Sequence, residues 1–133
     1  MITEDYINFE TAKLLKEKGF DESVTHYYFT QITHVGFKDY PTGVLYTDSD
    51  PQHQNNYKNK VAAPTQALVM KWLREVYKIS IEVFYFTSNS NSGAWAFEII
   101  KLPSGATVYG EYDKENYEQA CETAIKYCLE KLV

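Results

Sequence analysis

The chain has 133 residues, 44% of them hydrophobic and 23% charged, which is the balance of a folded domain and excludes a disordered tail. Its net charge is −5, and of thirteen basic residues only Arg74 is an arginine. A surface for nucleic acid needs a dense cationic face to displace counterions from phosphate, with arginine as the preferred bidentate donor, so nucleic acid is not an expected partner.

Residues 4–18 read as a first helix, with Thr3 as its cap, Glu4 and Asp5 in the first turn, and Lys13, Lys16 and Lys18 toward the end, as the helix dipole favours. Gly19 supplies the left-handed position after the helix, and Phe20 then folds back on Leu15, the hydrophobic contact of a Schellman stop. Residues 24–46 are extended in character: "VTHYYFTQITHV" is rich in β-branched and aromatic residues, and "GVLYT" follows Pro41 and Gly43. From Asp48 to Lys60 the composition turns to "DSDPQHQNNYKNK", which predicts a mobile polar surface loop.

Pro64 fits the first turn of a second helix. Leu68, Val69, Trp72, Leu73 and Val76 recur at helical spacing, while Lys71, Arg74, Glu75 and Lys78 fall away from that stripe. The strand "ISIEVFYF" follows with almost no connection. After it come a loop ("TSNSNSG"), a strand ("AWAFEIIKL"), a tight turn ("PSG") and a third strand ("ATVYGEY"); such short links predict an antiparallel meander. Asp113 can cap a last helix over 114–131, whose apolar stripe is Tyr117, Cys121, Ala124, Ile125, Cys128 and Leu132. The prediction is a single α+β domain over 1–133, with about three helices against a mainly antiparallel sheet and an α-β-β-β-α order in the C-terminal half.

The opening "MITED" places acids where a secretory leader would carry cations, and no apolar run reaches membrane-spanning length. Cys121 and Cys128 lie seven apart on one predicted helix, which separates their Cα atoms by roughly 10 Å, too far for a disulfide. A reducing cytoplasm is the expected compartment, with no membrane partner. Both thiols fall on an apolar stripe and read as small core residues. His26, His34 and His53 show no metal-ligand spacing; His53 with Asp48 and Asp50 could gather an ion, but the simpler reading is a solvated loop. No cofactor is expected.

Two groups of residues could carry function. If the first hairpin loop is centred on Ser90, Glu82 falls directly opposite Glu98. Like charges across a ladder repel, so such a pair would want a cation or share a proton, as a catalytic dyad does. Its separation would suit glycosidase-type carboxylates, whereas the plainer reading is two glutamates on a solvated face. GxSxG, P-loop, HExxH and CxxC motifs are all missing, which leans the reading away from an enzyme. The second group is aromatic. Alternation puts Ile79, Ile81, Val83 and Tyr85 on one face of the strand, and Phe84 and Phe86 on the other with Ser80 and Glu82. Two helices cover one face; the other, with Phe84, Phe86, Ile100 and Tyr112, is closed by the N-terminal segments or is a docking surface for another protein. If Phe84 and Phe86 are exposed, a homodimer through that face is the simplest arrangement.

The α-β-β-β-α order is also that of double-stranded-RNA-binding domains, which meet phosphates with lysines at the start of the last helix. Here that helix opens "DKENYEQACE", where acids outweigh Lys114 and would repel phosphate. Three further blocks, "TAKLLKEKGFDE" (11–22), "APTQALVMKWLREVYKISIEVF" (63–84) and "YEQACETAIKYCLEKL" (117–132), resemble a family of small uncharacterised proteins of gut Bacteroidetes and their phages and prophages. The resemblance implies a phage or mobile-element setting and a compact α+β fold, and carries over no catalytic or binding residue. The expected function is therefore a non-enzymatic interaction or self-associating module, with Phe84, Phe86 and Tyr112 as its contact residues. The alternative is a small-molecule binder or enzyme using Glu82 and Glu98.

Overall fold

The computed structural model describes residues 1–87 and 92–133, so the predicted loop centred on Ser90 lies in part outside the described residues. The chain forms two compact units, Met1–Thr65 and Gln66–Val133. Among the described residues there are three helices and eight strands in three antiparallel sheets, an α+β fold.

In the first unit, helix α1 spans Phe9–Glu17, shorter than the predicted 4–18. Its cap is Asn8, whose side chain accepts from the Thr11 N–H at 2.9 Å, and not Thr3. The residues before it are committed elsewhere. Tyr6 bridges Thr65, the Ile7 N–H donates to the Pro64 carbonyl at 3.1 Å, and the Tyr28 hydroxyl donates to the Ile7 carbonyl at 2.8 Å. Extended backbone held at both its N–H and its C=O cannot be helical. The far end of α1 forms as expected: Gly19 takes φ +87°, its N–H donates to the Lys16 carbonyl, and the Phe20 N–H reaches the Leu15 carbonyl at 3.3 Å. The paired bonds of the Schellman stop are thus complete, and Leu15 and Phe20 are both buried.

Strands β1 (Val24–Phe29), β2 (Thr33–Val35), β3 (Lys38–Tyr40), β4 (Tyr46–Gln52) and β5 (Lys60–Ala62) follow. They make one sheet in the order β4-β1-β5 and a separate β2-β3 hairpin. The polar 48–60 stretch is thus not the mobile loop its composition predicts. Its first part is an edge strand, which tolerates Pro51 because an edge N–H is dispensable and the ladder is irregular there. Its middle is one short 3₁₀ turn, Gln54–Asn56, pinned by amide side chains. Gln54 is fully buried and donates to the Val24 carbonyl and to Asp48, the latter at 2.7 Å. Asn55 donates to the Phe20 carbonyl at 2.9 Å and accepts from the Ala62 N–H at 2.8 Å.

In the second unit, α2 (Gln66–Tyr77) and α3 (Tyr117–Tyr127) lie against one face of a three-stranded sheet, β6 (Ile79–Thr87), β7 (Gly93–Lys101) and β8 (Ala106–Lys114), in the order β6-β7-β8. The order α-β-β-β-α is the predicted one. Val69, Trp72 and Leu73 are buried as the stripe on α2 requires, but Val76 is exposed and Pro64 precedes the helix. Asn116, not Asp113, caps α3, accepting from the Gln119 N–H at 2.8 Å, because β8 runs on through Lys114 and delays the helix. Past Tyr127 the helix widens into a π turn, Cys128–Leu132. Gln66 ties the two helices, donating to the Glu118 carbonyl and the Glu122 carboxylate, each at 3.0 Å. Both tryptophans of the chain, Trp72 and Trp95, belong to this unit.

The near-absent link between α2 and β6 is one residue, Lys78, with φ +57°. A left-handed conformation costs an L residue about 1–2 kcal/mol, part of which glycine recovers after its own greater loss of chain entropy. Lys78→Gly is therefore expected to raise stability by about 0.5–1 kcal/mol in urea denaturation. A loss instead would show that the Lys78 ammonium, 3.1 Å from the Glu75 carbonyl, contributes more than the backbone relief.

Candidate interaction face

The β6-β7 ladder is regular over nine pairs, from Ile79↔Lys101 to Thr87↔Gly93, and it places Glu82 opposite Glu98. The register that the sequence allowed only conditionally is the one found. Because paired residues share a face, Ile79, Ile81 and Val83 stand with Ile99 and Phe97 under the helices, where Ile79, Ile81, Phe97 and Ile99 are buried. The other face carries Ser80, Glu82, Phe84 and Phe86 from β6 opposite Ile100, Glu98, Ala96 and Ala94 from β7. Tyr112 joins them from β8, its ring 6.2 Å from that of Phe84 and 5.7 Å from that of Phe86. All five candidates, aromatic and acidic, therefore lie on one face. Phe86 and Tyr112 remain 42% and 44% exposed there, Glu82 is exposed, and Phe84 and Glu98 are half-buried.

Gly110, which sequence reasoning passed over, and Ser80, which it placed here without a role, organise this face. Gly110 pairs with Glu98 across the β7-β8 ladder. A methyl carbon there would stand 3.0 Å from the Phe97 carbonyl oxygen, 3.1 Å from the Tyr112 hydroxyl and 3.3 Å from Glu98 Cγ. The missing side chain lets Tyr112 donate its hydroxyl to Glu98 Oε1 at 2.7 Å. The signal was present in "VYGEY", since an isolated glycine inside a strand marks close approach. Ser80, buried, donates in the same way to Glu82 Oε1 at 2.9 Å.

Each glutamate is thus held by a neutral hydroxyl, and among the described residues neither carboxylate has an ion-pair partner. The bond to the Glu98 carboxylate, with some desolvation, holds the Tyr112 phenol above its ordinary range. Among the described residues no three His, Cys, Asp or Glu side chains gather as a metal set. His53 turns instead to the Asp21 carbonyl at 2.8 Å, and Asp48 to Gln54.

Tyr109 stacks on Tyr127 at 3.8 Å with planes 3° apart, and Trp95 packs edge-on to Tyr117 and Tyr85. In the first unit the Lys60 ammonium stands 4.2 Å from the centroid of the Tyr27 ring and 4.8 Å from that of Tyr57, a cation held over ring faces. Cys121 and Cys128 are buried on α3 and its extension, with no disulfide, as core residues.

Comparisons with protein-family models, with curated proteins and with solved structures each found no match. Among the described residues no helix is long and apolar enough to cross a membrane.

Proposed function

We propose that this chain is a small non-enzymatic interaction module acting in the cytoplasm, whose contact surface is the face of β6–β8 that the helices leave uncovered. One observation carries the reading: Phe86, on the regular β6-β7 ladder, and Tyr112, on β8, are exposed side by side with Phe84. Large rings on a stiff sheet present contact area at little entropic cost, and a partner would bury them. The phage or mobile-element setting implied by the sequence resemblance makes the native host, with and without prophage induction, the place to look. A tagged chain is expected to capture one reproducible partner there, and the variant with Phe84→Ser and Phe86→Ser, shown to be folded, is expected to lose it. A partner retained by that folded variant would sink the reading.

The direct Glu82↔Glu98 register supports a second reading, a small-molecule site built on the acidic pair. Like charges across a ladder cost about 0.2–1 kcal/mol, so Glu82→Gln or Glu98→Gln is expected to raise stability by that amount in urea. The small-molecule reading requires in addition that a compound found by thermal-shift screening lose its shift in the same variants.

A further inference from the structure

The face that carries the rings also carries two carboxylates and no base. Among the described residues none of its strand positions is Lys or Arg, because Lys101 pairs with Ile79 on the helix side, and Lys114 lies opposite Trp95 and bonds Glu111. Ser80 and Tyr112 each occupy Oε1 of one glutamate, which fixes the carboxylates without neutralising them. The two Oε2 atoms have no hydrogen-bond or ion-pair partner among the described residues.

Resting on the interaction-module reading, we propose that the occupant of this face is a basic segment of another protein that sets an arginine guanidinium between Glu82 and Glu98. The Cβ atoms of directly opposed residues stand roughly 4.5–5.5 Å apart, so one planar guanidinium can reach both carboxylates. Phe84, Phe86 and Tyr112 beside them offer ring faces, on which a weakly hydrated guanidinium stacks better than an ammonium. The chain already holds ammonium groups over ring faces, at Lys13 over Phe9, Lys38 over Tyr40 and Lys60 over Tyr27 and Tyr57. A second copy of this chain fits badly: a two-fold contact through this face would bury both glutamates of each copy with no cation from either. Phosphates would meet the same repulsion, and the net charge of −5 steers a basic partner inward.

The test pans a displayed library of short random peptides against the full chain. Enriched peptides are expected to centre on arginine between apolar residues. The synthetic form of the strongest should bind less tightly as salt is raised, and should weaken at least about tenfold against folded Glu82→Gln or Glu98→Gln chains, and when its arginine becomes glutamine. Enriched peptides that bind Phe86→Ser poorly but both Gln variants normally would overturn the arginine and leave the interaction face standing. Peptides indifferent to Phe86→Ser, or no enrichment above background, would count against both. Sedimentation that shows a dimer abolished by Phe86→Ser would make the second copy the occupant and overturn the proposal.

Discussion

Asn55→Ala should cost the protein about 2–4 kcal/mol, the largest loss expected from any single polar side chain described above. The Asn55 amide closes two backbone gaps at once, donating to the carbonyl of Phe20 and accepting from the N–H of Ala62. Phe20 and Ala62 are buried and Asn55 is half-buried, so water restores the lost partners only in part. Each orphaned group costs roughly 1–3 kcal/mol. Asn55→Asp separates the two halves: it can still accept from Ala62 but cannot donate to Phe20, and a large part of the loss should remain. Asn56→Ala, one residue on and exposed, should stay within about 0.5 kcal/mol of the parent. Urea denaturation followed by far-UV circular dichroism measures all three. Equal midpoints for the parent and Asn55→Ala would mean that the polar turn contributes nothing to stability.

The second large effect is alkaline. Burial on the extension of α3 pushes the Cys128 thiol up from 9.0 to about 12, opposed only in part by a backbone hydrogen bond. The folded chain thus holds this proton where the unfolded chain releases it, so the stabilisation is complete below about pH 9 and is lost between about pH 9 and 12. At about 1.36 kcal/mol per unit, the full loss is on the order of 4 kcal/mol. Tyr27 and Tyr117, with phenols raised respectively by burial and by the neighbouring Cys121, add slope of the same sign. Cys128→Ala gives up some packing at neutral pH, yet above pH 9 its stability should fall less steeply, by about 1.4 kcal/mol per pH unit. Parallel curves for the two proteins would show that another group governs the alkaline limit. In the native protein at neutral pH the same thiol should not react with a soluble disulfide reagent until the chain unfolds.

The C-terminal unit was legible because its signals are local and agree. The stripe on α2, the alternation on β6 and the short turn at Pro103–Gly105 each point to one structure, whereas the register that opposes Glu82 to Glu98 followed only from taking the seven-residue loop as centred on Ser90. The Schellman stop was legible for the same reason, since a glycine and an apolar residue at fixed offsets specify it. The N-terminal unit was harder because its decisive bonds are distant in sequence. Asn8 caps α1 only because Tyr6 and Ile7 are held by Tyr28, Pro64 and Thr65, which no window around residue 8 contains. Likewise "DSDPQHQNN" has the composition of a loop, and it becomes structure through amides that reach Phe20, Val24 and Ala62. On the candidate face, alternation supplied the five side chains. It did not supply the hydroxyls of Ser80 and Tyr112 as the carboxylates' partners, or Gly110 as the gap that admits one of them.

The placement of Trp72 and Trp95 gives the protein an internal optical division. Indole emission reports only on Gln66–Val133, whereas far-UV ellipticity reports on both units. A chain carrying Asn55→Ala, changed only in the first unit, therefore measures the cooperativity of the whole. If its emission and ellipticity midpoints shift together, the two units melt as one body, and if ellipticity alone acquires an early step, they are separate folding units.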